Sequence, residues 1–542
     1  MTQQQTQENG TSSAIRGKLL KSAGSLSFSV LLSRVLGLLR DILLGAVIGG
    51  GFLMSAWVQA TTLANIFRQV LGEGALGQAL VPILARELQD RGIASTRKKF
   101  TTLFIYLTLF LTFITIVTAL PMYLLADHFT SPIWHTTALL LPIVMPYSIF
   151  ICAVGVMTSC MNMLRIYFLP SLTAILQNLV IITALYFICP LFSGGMNKIR
   201  VLAFSVLAAG IVEFVFMLFL LKKEKMQLDF SKTVWRDKAA LKEIFTVAFP
   251  GILASGAHIF STLADRLISG NIPEFAGEIG NYATSALYYS DRLVLLPVGV
   301  FAFAFGTVAL TEMSRAHAEG DTKKYFGTML FSLQTLLFLT IPMTAFLFVF
   351  SKDVLELLFL RGAFDRTALE QTLLALLFYV PGIPAFCSLK IITAAFTSRK
   401  DMRTPFYTGL GAIALNIVLN LILMFPLRQG GIALATVIAS YCNNFLLMGI
   451  LLYRSRKEDP ENLPDFKPFF ALILKLIPIS LIPLAAALPL FRIVEPVVRS
   501  LPVLDDLIPL GCAAAVYGIL FLILAKLLRM PEADAALRKL KR

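Results

Sequence analysis

Charge is scarce in this chain. Only 15% of its 542 residues are Asp, Glu, Lys or Arg, against 57% hydrophobic, a balance that excludes an ordinary soluble protein. The polar stretches between the apolar runs are short, which excludes catalysis in a separate globular domain. The four histidines are scattered and form no HExxH-type pair. The six cysteines (Cys152, Cys160, Cys189, Cys387, Cys442 and Cys512) lie in or beside apolar runs without CxxC spacing. They read as buried thiols, not as a disulfide framework or a metal site. There is no Walker-type phosphate loop, so the chain is not expected to hydrolyse ATP. The polar start "MTQQQTQENGTSSAI" lacks the charged beginning and early apolar core of a cleavable signal, so the first span is expected to stay in the mature chain.

What is abundant is long apolar sequence. A membrane helix needs about 20 apolar residues, and that window places about fourteen spans. They lie near 22–48, 52–85, 101–126, 134–163, 168–191, 198–222, 240–270, 281–312, 326–350, 366–397, 404–426, 429–453, 467–491 and 507–529. The fold class is therefore an all-α polytopic membrane protein. The net charge of +15 resides in short basic clusters between spans, which argues against nucleic-acid binding. Connections such as "KKEKMQLDFSKTVWRDK", "SRKDMR" and "RSRKEDPENLPDFK" are basic, whereas most alternate ones, such as "ADHFTSPIW", are not; "GGMNKIR" and "RGAFDR" weaken the pattern without reversing it. The bias predicts a multi-pass membrane protein with both ends cytoplasmic.

An internal duplication divides the chain. The reading gives a disordered N-terminus at 1–18, a six-helix lobe at 19–225 and a second at 226–458. Two extra helices follow at 459–530, then a basic tail at 531–542. Each half opens with a span carrying charge, as a parallel-repeat transporter would.

A charge at the bilayer centre costs roughly 2.5 kcal/mol or more, yet "SRVLGLLRD" places Arg34, Arg40 and Asp41 inside the first span. Arg34 and Asp41, seven residues apart, share a helix face with Gly37 between them. The second span carries Arg68 and Glu73, the latter flanked by Gly72 and Gly74. The seventh carries Asp265 and Arg266, and the eighth Asp291 and Arg292, followed by Pro297 and Gly299. One account is snorkelling and structural salt bridges. The recurrence favours a wet cationic cavity, in which guanidinium forks would grip a multiply charged oxyanion such as phosphate. The glycines and Pro297 would let the helices bend.

"SRVLGLLRD" followed by "NIFRQVLGEGALGQALVPILARE", then "YYSDRLVLLPVGVFAFAFGTVALTEMSR" and "FTSRKDMRTPF", resembles the MurJ (MviN-type) lipid II flippases of the multidrug/oligosaccharidyl-lipid/polysaccharide exporter superfamily. The likeness runs over nearly the whole chain. It implies two six-helix lobes around a central cavity that opens alternately to each side, with a lipid-tail groove made by the last two helices. It implies a monomeric, non-enzymatic flippase for undecaprenyl-diphosphate-linked disaccharide-pentapeptide (lipid II), serving peptidoglycan synthesis and cell shape, with membrane lipids and cell-wall synthesis proteins as partners. By position it makes Arg34, Arg40, Arg68 and Arg292 the substrate-binding cations, with Asp41, Glu73 and Asp291 as cavity and gating acids. No organic cofactor is implied. A sodium ion held by Asp265, Asn416, Asn420 and Thr436 is implied by some members, with ordinary interhelical hydrogen bonding as the alternative. Two positions depart from the family pattern: Ser55 and Leu295 stand where members carry acids. The rival readings are a drug or polysaccharide-lipid exporter of the same superfamily, a membrane glycosyltransferase, and a non-transporting cell-wall scaffold.

Overall fold

The computed structural model describes residues 29–72, 75–229, 246, 261–461, 465–498 and 507–533. The expectations for the N-terminus at 1–18, for Glu73 and Gly74, and for the tail beyond 533 lie outside the described residues. Every regular element among the described residues is helical. Eleven helices are long and apolar enough to cross a membrane. That is fewer than the fourteen expected. The first helix carries three charges, the second runs only from Phe52 to Phe67 before its hydrogen-bond pattern changes, and residues 261–318 count as one run.

The chain divides into two compact units, Met1–Leu263 and Ala264–Arg542. In the first, α1 (residues 29–48) leads to α2 (Phe52–Phe67), which passes into a π-helical turn, Arg68–Gly72. Then come α3 (Ala75–Leu124), α4 (Pro132–Met163), α5 (Thr173–Thr183) and α6 (Gly195–Lys223). Pro132 opens α4 at the position where a missing N–H costs nothing. The α4 helix packs against α2, α3 and α6 and is the buried centre of the unit.

The basic segment "RELQDRGIASTRKK" was expected to be a connection between spans. It is instead helical on both sides of a single corner at Gly92, where φ is +75°. A side chain rarely adopts that conformation, and glycine does so without strain. The corner is closed by Glu87, which accepts from Ser95 Oγ (2.5 Å) and pairs with Lys99 Nζ (3.2 Å), and by Thr96 Oγ1 donating to the Gly92 carbonyl.

In the second unit, α7 (residues 261–269) precedes α8 (Ala283–Pro297), which enters a π turn, Val298–Ala302, and continues as α9 (Phe303–Ala318). The series goes on with α10 (Thr322–Val349), α11 (Arg366–Tyr379), α12 (Ile383–Ser398), α13 (Arg403–Leu427) and α14 (Gln429–Glu458). Asp321 and Asp365 cap α10 and α11, accepting from the N–H groups of Lys324 and Ala368. Both units thus contain a helix, a π turn and a second helix, and an arginine lies within or shortly before each turn.

The thirteenth expected span is two helices, α15 (Lys467–Leu481) and α16 (Leu484–Val498), broken at Ile482–Pro483. With α17 (Leu507–Leu527) they pack on the second unit. Leu476, Ile479 and Phe521 bury against Leu337 and Phe338, and the Tyr517 hydroxyl reaches the carbonyls of Pro342 (2.8 Å) and Ser480 (2.9 Å). Their outer faces expose Leu474, Ile493, Val497 and Ile519, as lipid-facing surfaces do.

Candidate functional site

The first unit holds a cavity of about 660 Å³. Arg34 from α1 and Arg68 from the π turn face it, with Glu213 from α6. Amides and hydroxyls complete the polar wall: Asn162, Gln177, Thr158 and Ser159. Arg34 is half-buried and forms no hydrogen bond or ion pair with any described residue. Arg68 donates from Nε to Asn65 Oδ1 at 3.2 Å, which holds its stem along the helix and aims the fork inward.

Arg40 and Asp41 lie elsewhere. Arg40 Nη2 and Nε meet Asp41 Oδ1 at 2.8 and 3.0 Å, while Nη1 donates to Asn178 Oδ1 at 3.0 Å. Asn178 Nδ2 in turn donates to the Ser33 carbonyl at 3.1 Å. This chain of bonds ties α1 to α5. Asp41 is therefore paired with its neighbour, not with Arg34 across two turns, and Arg40 does not line the cavity. Gly37 sits over the same contact: a Cβ there would stand 3.9 Å from Asn178 Nδ2.

The π turn that carries Arg68 is seated by small residues. Gly72 is buried against α4, and a Cβ on Gly155 would overlap the Gly72 backbone. A Cβ on Gly77 would stand 3.0 Å from both the Gly72 carbonyl oxygen and Ser159 Oγ, tight but less so than at Gly155. Sequence reasoning singled out Gly72 but not Gly155. The signal was the run of small residues in "CAVGVMTSC". It also missed Glu213, although a lone acid within the apolar stretch "LAAGIVEFVFMLFLL" is conspicuous.

In the second unit Arg292 lies on α8 with its guanidinium carbon 4.7 Å from the Tyr288 ring centroid, a cation–π contact. Asp291 faces Arg266 Nη2 at 3.9 Å, and buried Arg266 also donates to the Thr284 carbonyl at 3.2 Å. Pro297 ends α8 and Gly299 lies within the following π turn. Ser55 is fully buried in α2, and Leu295 is partly exposed on α8.

Four residues expected to hold a cation come together. Asn420 Nδ2 donates to Asp265 Oδ1 (2.6 Å) and Asn416 Oδ1 (3.2 Å). Thr436 Oγ1 donates to Asp265 Oδ2 (3.2 Å) and accepts from Asn416 Nδ2 (3.1 Å). All four are oxygen-bearing, and Asp265, Asn416 and Asn420 are buried. A carboxylate, two amides and a hydroxyl are a donor set suited to a hard cation such as sodium.

Compared with known proteins, the chain matches the family described as lipid II flippase MurJ over residues 44–500. It is 30% identical to the "Probable lipid II flippase MurJ" of Vibrio cholerae, over 79% of this chain and 82% of that protein. It is 29% identical to the protein of the same name from Rhizobium meliloti, over 80% and 81%. Among solved structures it resembles a lipid II flippase MurJ in an inward closed conformation, with TM-score 0.73 and 23% identity over 93% of this chain and 99% of the other. An inward-facing multidrug transporter of the MATE family matches with TM-score 0.66 and 15% identity, over 81% and 99%. These structural likenesses show the fold.

Proposed function

Because the chain belongs to the MurJ family of lipid II flippases, we propose that it carries undecaprenyl-diphosphate-linked peptidoglycan precursor from the inner to the outer leaflet by alternating access. The observation that carries the reading is Arg34. A guanidinium inside a membrane helix that faces a polar cavity and holds no ion-pair partner among the described residues is poised for an anion from outside the protein. Arg68 faces the same cavity, and two forks suit a diphosphate better than two ammonium groups would. In the second unit, Arg292 against Tyr288 would be a further phosphate-binding cation. The Arg40–Asp41–Asn178 chain positions α1, so that Arg34 presents its fork to the cavity. Asp291 and Arg266 set the field around α8.

The last three helices would seat the polyprenyl tail along their exposed apolar faces. Asp265, Asn416, Asn420 and Thr436 would hold a sodium ion, whose charge would tie α7, α13 and α14 together. The basic connections put both termini in the cytoplasm. A cationic cavity argues against the cationic drugs that a multidrug exporter would take.

The test is rescue of growth in cells depleted of their own flippase, with precursor exposure at the outer leaflet measured directly. Wild-type rescue and exposure are expected, with loss of both in Arg34→Ala at unchanged protein level. A chain that accumulates in the membrane and exposes no precursor would sink the reading.

A further inference from the structure

The cavity of the first unit has a neutral end. Thr158 and Asn162 lie one turn apart on α4 and share a face, and Tyr167 follows in the loop after that helix. All three line the cavity, and none of their side chains makes a hydrogen bond with any described residue. Gln177 reaches the same cavity from α5. Its Nε2 donates to the Tyr147 hydroxyl at 2.5 Å, which fixes the carboxamide and leaves its oxygen without a donor. Tyr147 is itself locked, since a Cβ on Gly210 would stand 2.8 Å from its ring. The loop that carries Tyr167 is closed at both ends. The chain reverses at Arg165, where φ is +62°, and the Ile166 N–H bonds back to the Met161 carbonyl at 3.0 Å. Beyond Tyr167, Ser171 Oγ and Thr173 Oγ1 donate to the Phe168 and Pro170 carbonyls. Tyr167 is nevertheless 38% exposed, so a tied loop holds an open aromatic ring at the cavity. Gly155, against which the Arg68 turn is seated, precedes Asn162 by about 10 Å along α4, at 1.5 Å per residue. Along α4 the wall therefore changes from guanidinium at that turn to hydroxyl, amide and aromatic near the helix end.

We propose that this end is a subsite for an amide-bearing pyranose bonded directly to the diphosphate. Tyr167 offers a flat apolar face to one side of the sugar ring. The Asn162 carboxamide carries a donor and an acceptor side by side. An acetamido group on the sugar is its complement, with each N–H donating to the other's carbonyl. Thr158 and the Gln177 oxygen are left for ring hydroxyls. With the diphosphate at Arg68, the group bonded to it is the one that reaches Asn162. Neutral groups of this kind add no general attraction for anions, and a cavity that met only bare polyprenyl diphosphate would gain nothing from them. A site that hydrogen-bonds a substituent discriminates against the analogue that lacks it. This rests on the flippase reading and adds to it the feature by which the sugar-bearing lipid is told from its bare carrier.

The experiment measures binding to full-length protein in nanodiscs. The probes are undecaprenyl diphosphate, the same lipid bearing N-acetylglucosamine, and the same lipid bearing glucose; the two sugars differ only in acetamido against hydroxyl at one carbon. Wild type should prefer the acetamido sugar over glucose by about tenfold, the net worth of one to two hydrogen bonds, and should bind the bare diphosphate less tightly than either. Asn162→Ala should erase the acetamido preference and leave the bare diphosphate unchanged. Tyr167→Ala should weaken both sugar lipids several-fold and leave the bare diphosphate unchanged, while Tyr167→Phe, which keeps the ring, should match wild type. Equal binding of the two sugars by wild type overturns the proposal. So does equal weakening of all three lipids by Asn162→Ala, which would give that residue a structural role only. Asn162→Leu, of nearly the same size, carries the test should the alanine variant fail to accumulate. Failure of wild type to bind any diphosphate lipid would overturn the flippase reading itself, and this inference with it.

Discussion

The α-carbon of Gly155 on α4 lies against the backbone of Gly72, the last residue of the π turn that carries Arg68. The two glycines set the distance between α4 and that turn. No side chain fits between them.

Gly155→Ala should therefore displace the turn. Overpacking of this kind costs about 1–3 kcal/mol, and here the strain falls on backbone, which cannot rotate away. Thermal midpoint should drop and precursor flipping should fall further than protein level. Gly411→Ala and Gly449→Ala, where an added Cβ meets nothing within 4 Å, serve as controls and should leave both unchanged.

Arg34→Lys and Arg68→Lys keep charge and lose the planar fork. Each should lower flipping by about tenfold, the equivalent of roughly 1.4 kcal/mol of hydrogen bonding, with the protein still inserted and abundant. Arg292→Lys should do the same. The silent control is Arg91→Lys, which keeps the charge that faces Glu87 at 3.7 Å and whose side chain is 73% exposed. Wild-type flipping in all three Arg→Lys variants would remove the bidentate mechanism.

Asp41→Ala should behave differently from these. It strands the Arg40 guanidinium beside Asn178, and removing one partner of a buried pair typically costs about 3 kcal/mol or more. Membrane-inserted protein should fall sharply. The double change Arg40→Ala with Asp41→Ala should recover part of that loss, as a thermal-stability cycle on the purified variants would show.

Sodium should raise the thermal midpoint relative to potassium at equal ionic strength. An ion bound only by the folded state, at a hundred times its Kd, adds about 2.7 kcal/mol. Asp265→Asn should abolish the sodium-specific part. A midpoint blind to the choice of cation would leave the four residues as an interhelical hydrogen-bond cluster.

Outside the spans, Asp401 joins the loop after α12 to the end of α14 through Arg454 Nη1 at 2.6 Å. Burial pushes its carboxyl pKa up, but the Thr404 hydroxyl and N–H and the Arg454 guanidinium outweigh that and hold it below the ordinary range. The sign follows from the direction. A lowered pKa gives stability that is present above the ordinary aspartate value of about 3.9 and is lost as pH falls through the folded-state value. Wild type should exceed Asp401→Asn in thermal midpoint at neutral pH, with the gap closing only in strong acid.

Much of this was legible in sequence because lipid imposes a long, nearly uninterrupted apolar period. The bounds of α4 and α13, and of the run formed by α11 and α12 together, fall within a few residues of the hydropathy window, since in each case a charged or proline-bearing connection flanks the run. Gly92 escaped notice because its helices continue through a charged stretch that composition alone reads as loop. Arg40 and Asp41 point apart by helical face, and the structural salt bridge that was one of the two accounts of these charges is the one they form. A long guanidinium can fold back along the axis, and periodicity does not register that reach. The meeting of Asp265 with Asn420 across 155 positions has no local trace at all.

The π turns at Arg68–Gly72 and Val298–Ala302 bear on how the cation positions are encoded. A π turn holds one residue more than an α turn over nearly the same rise. The stretch before each turn is therefore rotated by about 100° from where an unbroken helix would put it. Deleting Gly299, inside the second turn, would let α8 and α9 run on as one regular helix, with every hydrophobic residue still present and the span still long enough. Arg292 would then swing by more than a quarter of a circle relative to α9. Where a guanidinium points is thus encoded partly as a length, so a one-residue deletion could inactivate the chain while leaving its composition and hydropathy almost untouched.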